Sequence, residues 1–331
     1  MNLNYLSAKQ LNIKNHLAVL PCGDLTDKKI MNWTALELEP YISYILQGKS
    51  IDTMFGGFIF NPISTRENRY IYPLYATFGD LADKVDWQLA IDNLFEKNVN
   101  FHAAALSKWQ LDIWVALPYP LPLQNNFGII NNHSLNFEQE NDRFRSLKWW
   151  IESFLERWKK EIHLHATLIF RGFMWQRDAI NHQDTSLVKN INKYIHQQNL
   201  LTMWLPNHGT NNVTEWKNLG FNATCLNSNY YGNTSYDYQW INHTASFAKF
   251  YHTGMQIYYG KGNIFNDKHL IDYLNLGLPQ YNNYMRDCLL VYHFPNQNLK
   301  EVCEKKVVDY IRLYSFIKGI YAKVSYPQMP Y

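Results

Sequence analysis

Cysteine is scarce in this chain, and the few cysteines form no motif. The 331 residues contain Cys22, Cys225, Cys288 and Cys303, which are too widely spaced to predict a shared metal site or a disulfide framework. Two histidine pairs, His163/His165 and His243/His252, lack the companion residues of a metal-binding motif. The sequence therefore predicts free thiols and no metal site.

An excess of charge of one sign is also absent. Lysine and arginine number 31 against 28 aspartates and glutamates, and no basic run is long enough to follow a phosphate backbone. This argues against nucleic acid as the main partner. Gly260-Lys261-Gly262 is too short to be a glycine-rich phosphate loop, so we expect no nucleotide and no other cofactor.

Long apolar segments are missing as well. No run is long enough to span a membrane, and the first 30 residues are polar, without the apolar core of a signal peptide. The sequence as written leaves the compartment open between a cytoplasmic protein and a piece of a secreted one.

Aromatic residues, in contrast, are abundant. The chain has 11 Trp, 24 Tyr and 18 Phe. Most of these rings are expected to pack in the core. A sugar-binding cleft also needs them, because an apolar ring face can stack on the C–H face of a pyranose while polar neighbours bind its hydroxyls.

Short apolar runs alternate with helical patterns along the chain. Strands are predicted at His16–Pro21, Phe55–Asn61, Phe101–Leu106, Ile113–Leu117, Leu164–Phe170, Leu201–Leu205, Ala223–Leu226, Met255–Tyr259 and Leu289–His293. Helices are predicted at Trp87–Lys97, Arg143–Lys160, Leu187–Gln197, Asn242–Tyr251 and Glu301–Ile320. This alternation indicates βα units, and the number of strands favours a closed (β/α)8 barrel over an open doubly wound sheet. With no repeat or proline-rich linker, residues 1–331 are predicted to form a single domain, with a flexible segment over residues 1–15.

Polar and aromatic residues follow many of the predicted strands. In a barrel these strand ends converge on one mouth, where the ligand site lies. The candidates for substrate binding are Arg66, Tyr119, Trp175, Asn207, Asn229, Tyr230, Gln256 and Tyr258, and the same set includes Asn61, Asn227, Tyr231 and His293. Trp175 is expected just past the end of its strand. Amide, phenol and indole groups suit a neutral polyhydroxylated ligand, an oligo- or polysaccharide, although turn chemistry alone also places such residues in loops.

Three carboxylates are candidates for catalysis. Glycoside cleavage ordinarily needs two carboxyl groups across the scissile bond, one acting as acid and the other as base or nucleophile. Asp178 is the first candidate, and Asp237 or Asp24 would supply the second group. The alternative for Asp178 is a structural role, as a helix cap or as a partner for Arg177.

Several motifs resemble the domain-of-unknown-function family 4855, a family of bacterial barrel proteins of glycoside-hydrolase type. The resemblance covers about Leu17 to Tyr321. It rests on Pro40-Tyr41-Ile42-Ser43-Tyr44, on Met54 to Phe60, on Pro118-Tyr119-Pro120, on Trp204-Leu205-Pro206 and on Arg312 to Gly319. Gly172-Phe173-Met174-Trp175 resembles the Gly-Phe-Tyr-Trp of the family. The resemblance implies a glycosidase-like barrel that acts on a bacterial or host polysaccharide.

The chain departs from this family where the chemistry would be. Asp178 stands where the family usually places a glutamate, and Gly254-Met255-Gln256-Ile257-Tyr258 has lost both carboxylates of a Gly-x-Glu-x-Glu-like strand. Aspartate reaches one methylene less far, and an amide cannot act as base or nucleophile. Three hypotheses follow: a slow hydrolase, a non-catalytic carbohydrate-binding protein, or a scaffold for a protein partner.

Overall fold

Eight parallel strands form a closed barrel in which each strand neighbours the next one along the chain. The structure is a computed structural model that describes residues 3–23, 32–66, 69–72 and 79–331. The strands are β1 (Leu17–Cys22), β2 (Gly57–Pro62), β3 (Leu111–Leu117), β4 (Leu168–Trp175), β5 (Leu201–Trp204), β6 (Ala223–Leu226), β7 (Gly254–Tyr258) and β8 (Leu290–His293). The predicted (β/α)8 barrel is confirmed.

Helices fill most of the connections between the strands. They are α1 (Ala35–Ile42), α2 (Lys84–Leu94), α3 (Asn100–Ala104), α4 (Glu140–Lys160), α5 (Thr185–Gln197), α6 (Gln239–Tyr251), α7 (His269–Leu276), α8 (Tyr284–Asp287), α9 (Leu299–Lys305) and α10 (Val307–Ile317). Short strands pair outside the barrel: Ser43–Leu46 with Lys49–Thr53, Gly128–Ile130 with His133–Leu135, and Ser64–Arg66 with Arg69–Tyr70 and then Asp80–Leu81. Within the described ranges, no helix has the length and apolarity that a membrane span requires.

The burial of strands and helices explains the sequence pattern. Every residue of β3 is buried, as expected for a strand that has the barrel interior on one face and helices on the other. Helix α4 is the longest, and one face of it buries Leu147, Trp150, Phe154 and Trp158. Its spacing of apolar residues was therefore a reliable guide to a helix with one face on the core.

Two compact units make up the chain. Unit 1 comprises Met1–Ala18, Glu39–Gly56 and Cys225–Tyr331, and unit 2 comprises Val19–Leu38 and Gly57–Thr224. Strands β2 to β5 belong to unit 2, and β7 and β8 belong to unit 1. Near the N-terminus, Leu6 is buried and its N–H donates to the Thr253 carbonyl at 3.1 Å. The single-domain interpretation and the flexibility of residues 1–15 stay predictions.

Two predicted elements were wrong. The run predicted as a strand at Phe101–Leu106 is helical over α3, because alanines favour a helix and a short apolar run carries no distinguishing period. The helix predicted over Glu301–Ile320 is two helices, α9 and α10, which are separated at Lys306.

Strand β4 begins later and ends later than predicted. A 3-10 turn occupies Ile162–Ala166, and the strand then continues to Trp175. Its register against β3 shifts between Phe170 and Gly172, which leaves Arg171 as an extra residue in a bulge. Trp175 is therefore the last residue of the strand and lies between Leu117 of β3 and Trp204 of β5.

Candidate functional site

Asp178 and Asn207 come together at the carboxyl ends of β4 and β5 in unit 2. The Asn207 amide Nδ2 donates to Asp178 Oδ2 at 2.7 Å. Asp178 is exposed and Asn207 is half-buried. Because β4 and β5 are neighbours in the barrel, the residues that follow them lie side by side. The pair presents a carboxylate and an amide to solvent, groups that can hydrogen-bond a sugar hydroxyl.

The structural alternatives for Asp178 are not supported. Asn181, rather than Asp178, directly precedes the next helical turn, His182–Asp184. Arg177 directs its Nη1 to the Tyr119 hydroxyl at 2.7 Å and lies 3.4 Å from Asp184 Oδ2. Asp178 is therefore neither a cap of that turn nor the carboxylate that pairs with Arg177.

Trp175 and Tyr119, two predicted substrate-binding aromatics, are buried in unit 2. Trp175 is 2% exposed and Tyr119 is 5% exposed, and their rings pack edge to face at a centroid distance of 5.9 Å. The prediction that these rings line an open cleft is wrong, because β4 extends to Trp175 and carries its ring into the packed interior. Burial, followed by the neighbouring Asp184 carboxylate, raises the pKa of Tyr119 to about 12.

Asp184 binds the buried polar side chains next to Tyr119. Its carboxylate is fully buried and accepts from Arg143 Nη1 at 2.6 Å and from the Tyr119 hydroxyl at 2.9 Å. No sequence pattern distinguishes Asp184, since an aspartate before a helix is commonplace. Gln176 was also missed: its Nε2 donates to Asn61 Oδ1 at 2.8 Å and links the ends of β4 and β2.

Arg66 pairs with a carboxylate in the first turn of α2. Its guanidinium donates from Nε to Asp86 Oδ1 at 2.7 Å, and Nη2 lies 2.5 Å from the same oxygen. Asp86 is fully buried in the first turn of that helix. This contact holds a loop strand against α2, and a role for Arg66 in substrate binding stays a prediction.

Five uncharged polar side chains surround the strand ends of unit 1. We call them the strand-end cluster: Asn227, Tyr231, Gln256, Tyr258 and His293. Asn227 Nδ2 donates to the Tyr231 hydroxyl at 2.8 Å, and the Tyr231 ring packs edge to face on Tyr258 at 5.4 Å. The Tyr258 ring stacks on His293 at 4.3 Å with an angle of 3° between the planes. The cluster combines an aromatic surface with amide, hydroxyl and imidazole groups.

Gln256 and Asn227 are buried in this cluster, and His293 is half-buried with a buried Nε2. Gln256 is 1% exposed, and its Nε2 donates to the Cys225 carbonyl at 2.6 Å. His293 Nε2 is buried and has no hydrogen-bond partner among the described residues. Burial lowers the pKa of His293 to about 3, so its imidazole is neutral at physiological pH. A neutral imidazole can donate or accept one hydrogen bond at this nitrogen.

Tyr230 and Asn229, two other candidates in unit 1, have structural contacts: Tyr230 packs in the core, and Asn229 lies in a turn of the backbone. Tyr230 is 4% exposed and its hydroxyl donates to Asp272, so the prediction that its ring lines a cleft is wrong. Asn229 has a positive φ of 60°, and its N–H donates to Asn227 Oδ1 at 2.9 Å. That contact is an Asx turn, which positions the loop after β6.

The two candidates for a second carboxylate are in different situations. Asp237 is exposed, and its Oδ1 accepts from the Gln239 N–H at 2.9 Å at the first residue of α6. This contact is an Asx turn that leads into α6. Asp24 lies outside the described residues. Their catalytic roles stay predictions.

A cavity of unit 1 lies beside the end of β7. It has a volume of about 560 Å³ and is lined in part by Tyr259, Lys261, Lys306 and Arg312. Arg312 Nη1 donates to Asp309 at 2.9 Å, and Lys306 lies over the Tyr259 ring at 5.5 Å. Arg312 and Lys306 are therefore engaged within unit 1, and the cavity by itself does not identify a ligand.

Comparison with known proteins identifies a family for nearly the whole chain. The family model described as a domain of unknown function (DUF4855) matches residues 23–315. No curated protein matches the chain at a significant level.

Solved structures with similar folds include proteins of different activities. The tryptophan synthase α subunit of Pyrococcus furiosus is 11% identical, with 93% of this chain and 98% of that chain covered and a TM-score of 0.42. A broad-specificity GH5-4 endoglucanase of Clostridium longisporum is 11% identical, with 96% and 100% covered and a TM-score of 0.49. A GH18 chitinase of Pseudoalteromonas aurantia is 7% identical, with 90% and 99% covered and a TM-score of 0.39. Similarity at this level assigns no activity to the chain.

Proposed function

The chain belongs to the DUF4855 family, a family of unknown function, and we propose that it binds a neutral oligo- or polysaccharide at the strand ends of its barrel. The observation that carries the proposal is the strand-end cluster of unit 1. It places an aromatic stack, Tyr258 on His293, beside amides and a phenol, with no carboxylate or cation among its five members.

The chemistry of the cluster favours a neutral ligand. A phosphate or carboxylate ligand is usually met by arginine, lysine or a helix N-terminus, and none of the five side chains is a cation. Sugar hydroxyls both donate and accept hydrogen bonds, which matches amide, phenol and imidazole groups. The unpartnered His293 Nε2 would gain a hydrogen bond from such a hydroxyl.

The same geometry favours binding over rapid cleavage. A carboxylate at position 256 could not donate to the Cys225 carbonyl as the Gln256 amide does at 2.6 Å. The cluster is therefore built around an amide, which cannot take part in the two-carboxylate chemistry of glycoside hydrolysis. In unit 2, Asp178 is exposed, whereas a general acid is usually held in an apolar or charge-crowded pocket. We propose that the protein is a binder of a bacterial or host polysaccharide and a slow hydrolase at best.

The binding test uses the whole chain on a glycan array that includes bacterial wall and capsule polysaccharides, followed by calorimetry on the best ligand. Replacing His293 by alanine removes the Tyr258 stack and the free ring nitrogen. We expect the affinity to fall about tenfold or more, since one net hydrogen bond is worth about 1 kcal/mol and stacking adds to it. Tyr230→Phe is the matched control, because it removes only the hydroxyl that contacts Asp272.

The control separates binding from stability. Tyr230→Phe should leave the glycan affinity within about twofold while it lowers the melting temperature. If no glycan binds, or if His293→Ala binds as tightly as the wild type, the strand-end cluster is not a sugar site. If Tyr230→Phe weakens binding as much as His293→Ala does, affinity depends on general stability and the assignment to the cluster fails.

A further inference from the structure

Three metal-ligand side chains meet in unit 2, near the amino-terminal ends of β3 and β4. They are His102 in α3, Glu161 at the end of α4, and His163 in the turn Ile162–Ala166. One ligand atom of each lies within 4.8 Å of the others. The His102 and His163 rings have a centroid distance of 5.0 Å, and His163 Nδ1 lies 3.7 Å from Glu161 Oε2. The sequence did not indicate this group, because His102 is far from the other two residues along the chain.

Two imidazoles and a carboxylate are an ordinary ligand set for zinc. Around a tetrahedral zinc ion, ligand atoms at about 2.0–2.2 Å from the metal are about 3.4 Å from one another. The three groups therefore need to close by little more than an ångström. His163 can make this movement, because 57% of its side chain is exposed.

The surroundings orient the carboxylate. Arg157 Nη2 lies 2.9 Å from Glu161 Oε1, and the Arg157 guanidinium is 5.7 Å from the centre of the Phe95 ring. These contacts occupy one carboxylate oxygen and leave Oε2 on the side of His163. An outer partner that holds a ligand in place is a usual feature of metal sites. The positive charge of Arg157 also opposes a cation, so we expect a site of moderate rather than extreme affinity.

We propose that His102, Glu161 and His163 bind a divalent transition metal, zinc in particular, with water as the fourth ligand. The metal would join α3 to the segment between α4 and β4, and both segments lead into barrel strands. The amino-terminal end of a (β/α)8 barrel generally serves stability, whereas ligand chemistry belongs to the carboxyl ends of the strands. The metal is therefore assigned a stabilising role that does not depend on the proposed sugar site.

The test is a titration of the chelator-treated full chain with zinc by calorimetry and with cobalt by visible absorption. We expect one equivalent to bind, the absorption bands of four-coordinate cobalt without thiolate charge-transfer bands, and a higher melting temperature with metal. His163→Ala should weaken binding by more than the 10–100-fold that loss of an outer partner typically costs. His163 is the ligand to replace first, because it is exposed and its loss leaves the Arg157–Glu161 pair intact.

His243→Ala is the matched control, since His243 is also exposed but lies outside the group. It should bind zinc as the wild type does, and Glu161→Gln should bind more weakly than either. The proposal is overturned if the wild type binds no zinc, if His163→Ala binds it with unchanged affinity, or if cobalt shows thiolate bands. In that case the two histidines are only a packed ring pair beside an ion pair.

Discussion

Trp175 ends β4 with 2% of its surface exposed, and neighbouring strands flank it on both sides. We predict that Trp175→Ala lowers the free energy of unfolding by about 3–5 kcal/mol, because it opens a cavity in packed surroundings. Urea denaturation measures this loss. Trp240→Ala is the control and should cost much less, because Trp240 is only half-buried. A Trp175→Ala protein that keeps its stability but loses glycan affinity would contradict the burial seen here.

His16 and His293 make stability depend on pH. Burial lowers the pKa of each to about 3, whereas the unfolded chain protonates near pH 6.5. Below pH 6.5 the unfolded state binds more protons than the folded state, so stability falls as the pH drops from 6.5 toward 3. Between pH 6 and pH 5 we expect a loss of about 1 kcal/mol for each histidine.

Urea denaturation at pH 7, 6 and 5 checks this dependence, and His293→Gln should remove about half of the slope that the two histidines produce. The variant removes the contribution of the His293 imidazole to the pH dependence, because the glutamine amide does not titrate. An unchanged slope in His293→Gln would mean that His293 takes up its proton in the folded protein as readily as in the unfolded one.

Residue types at strand ends could be predicted from the sequence, but their exposure could not. The amides, phenols and imidazole of the strand-end cluster were all selected by their position in or just after a predicted strand. Trp175, Tyr119 and Tyr230 were selected by the same rule and are buried, as are Asn227 and Gln256, whereas Tyr231, Tyr258 and His293 are half-buried. The difference in exposure depends on where each strand ends and on which hydroxyl contacts a buried carboxylate. Both are consequences of tertiary packing.

At the scale of the element, Gly172 allows the bulge that carries β4 to Trp175. Its φ is 153°, and a Cβ at this position would lie 1.8 Å from the Leu201 carbonyl oxygen of β5. We predict that Gly172→Ala loses several kcal/mol of stability or fails to fold, because the added Cβ would collide with the backbone of the neighbouring strand β5, which cannot move aside as a side chain can. Thermal unfolding and soluble yield measure the effect.

Gly209→Ala is the matched control for this prediction. Gly209 also has a positive φ, 78°, but no atom would lie within 4 Å of its Cβ. It should lose only about 1–2 kcal/mol, the usual cost of a left-handed alanine. If the two variants lose the same amount, backbone conformation rather than the close approach of β5 explains the need for Gly172.

The elements themselves were predicted to different degrees. Helix α4 could be predicted because its apolar spacing extends over about four turns, from Phe144 to Trp158, whereas the five residues of α3 carry no clear period that separates a helix from a strand. The bulge in β4 could not be predicted, since the sequence shows a glycine there but not the carbonyl that requires it.

At the scale of the whole molecule, the alternation of strands and helices was sufficient to predict the closed barrel. The function of the barrel could not be predicted in the same way, because the same fold carries many activities. What the strand ends add is chemistry: an amide-centred, uncharged cluster in unit 1, and an exposed carboxylate bonded to an amide in unit 2. Neither arrangement by itself supplies the pair of carboxyl groups that cleavage requires.

We therefore predict that the wild-type chain binds its polysaccharide but releases reducing ends slowly or not at all. If turnover is measurable, Asp178→Asn should abolish most of it, because an amide keeps the shape and cannot give up a proton. Glycan affinity should change by less than about threefold, since the amide still hydrogen-bonds a hydroxyl and can still contact Asn207. Reducing-end assays on the polysaccharides identified by binding, with calorimetry on the same preparations, measure both quantities. Asp92→Asn is the matched control, because Asp92 is also exposed but lies on α2 rather than at a strand end, and it should leave turnover unchanged. Rapid wild-type turnover, or turnover undiminished in Asp178→Asn, would place the catalytic groups elsewhere and overturn the view of this protein as chiefly a binder.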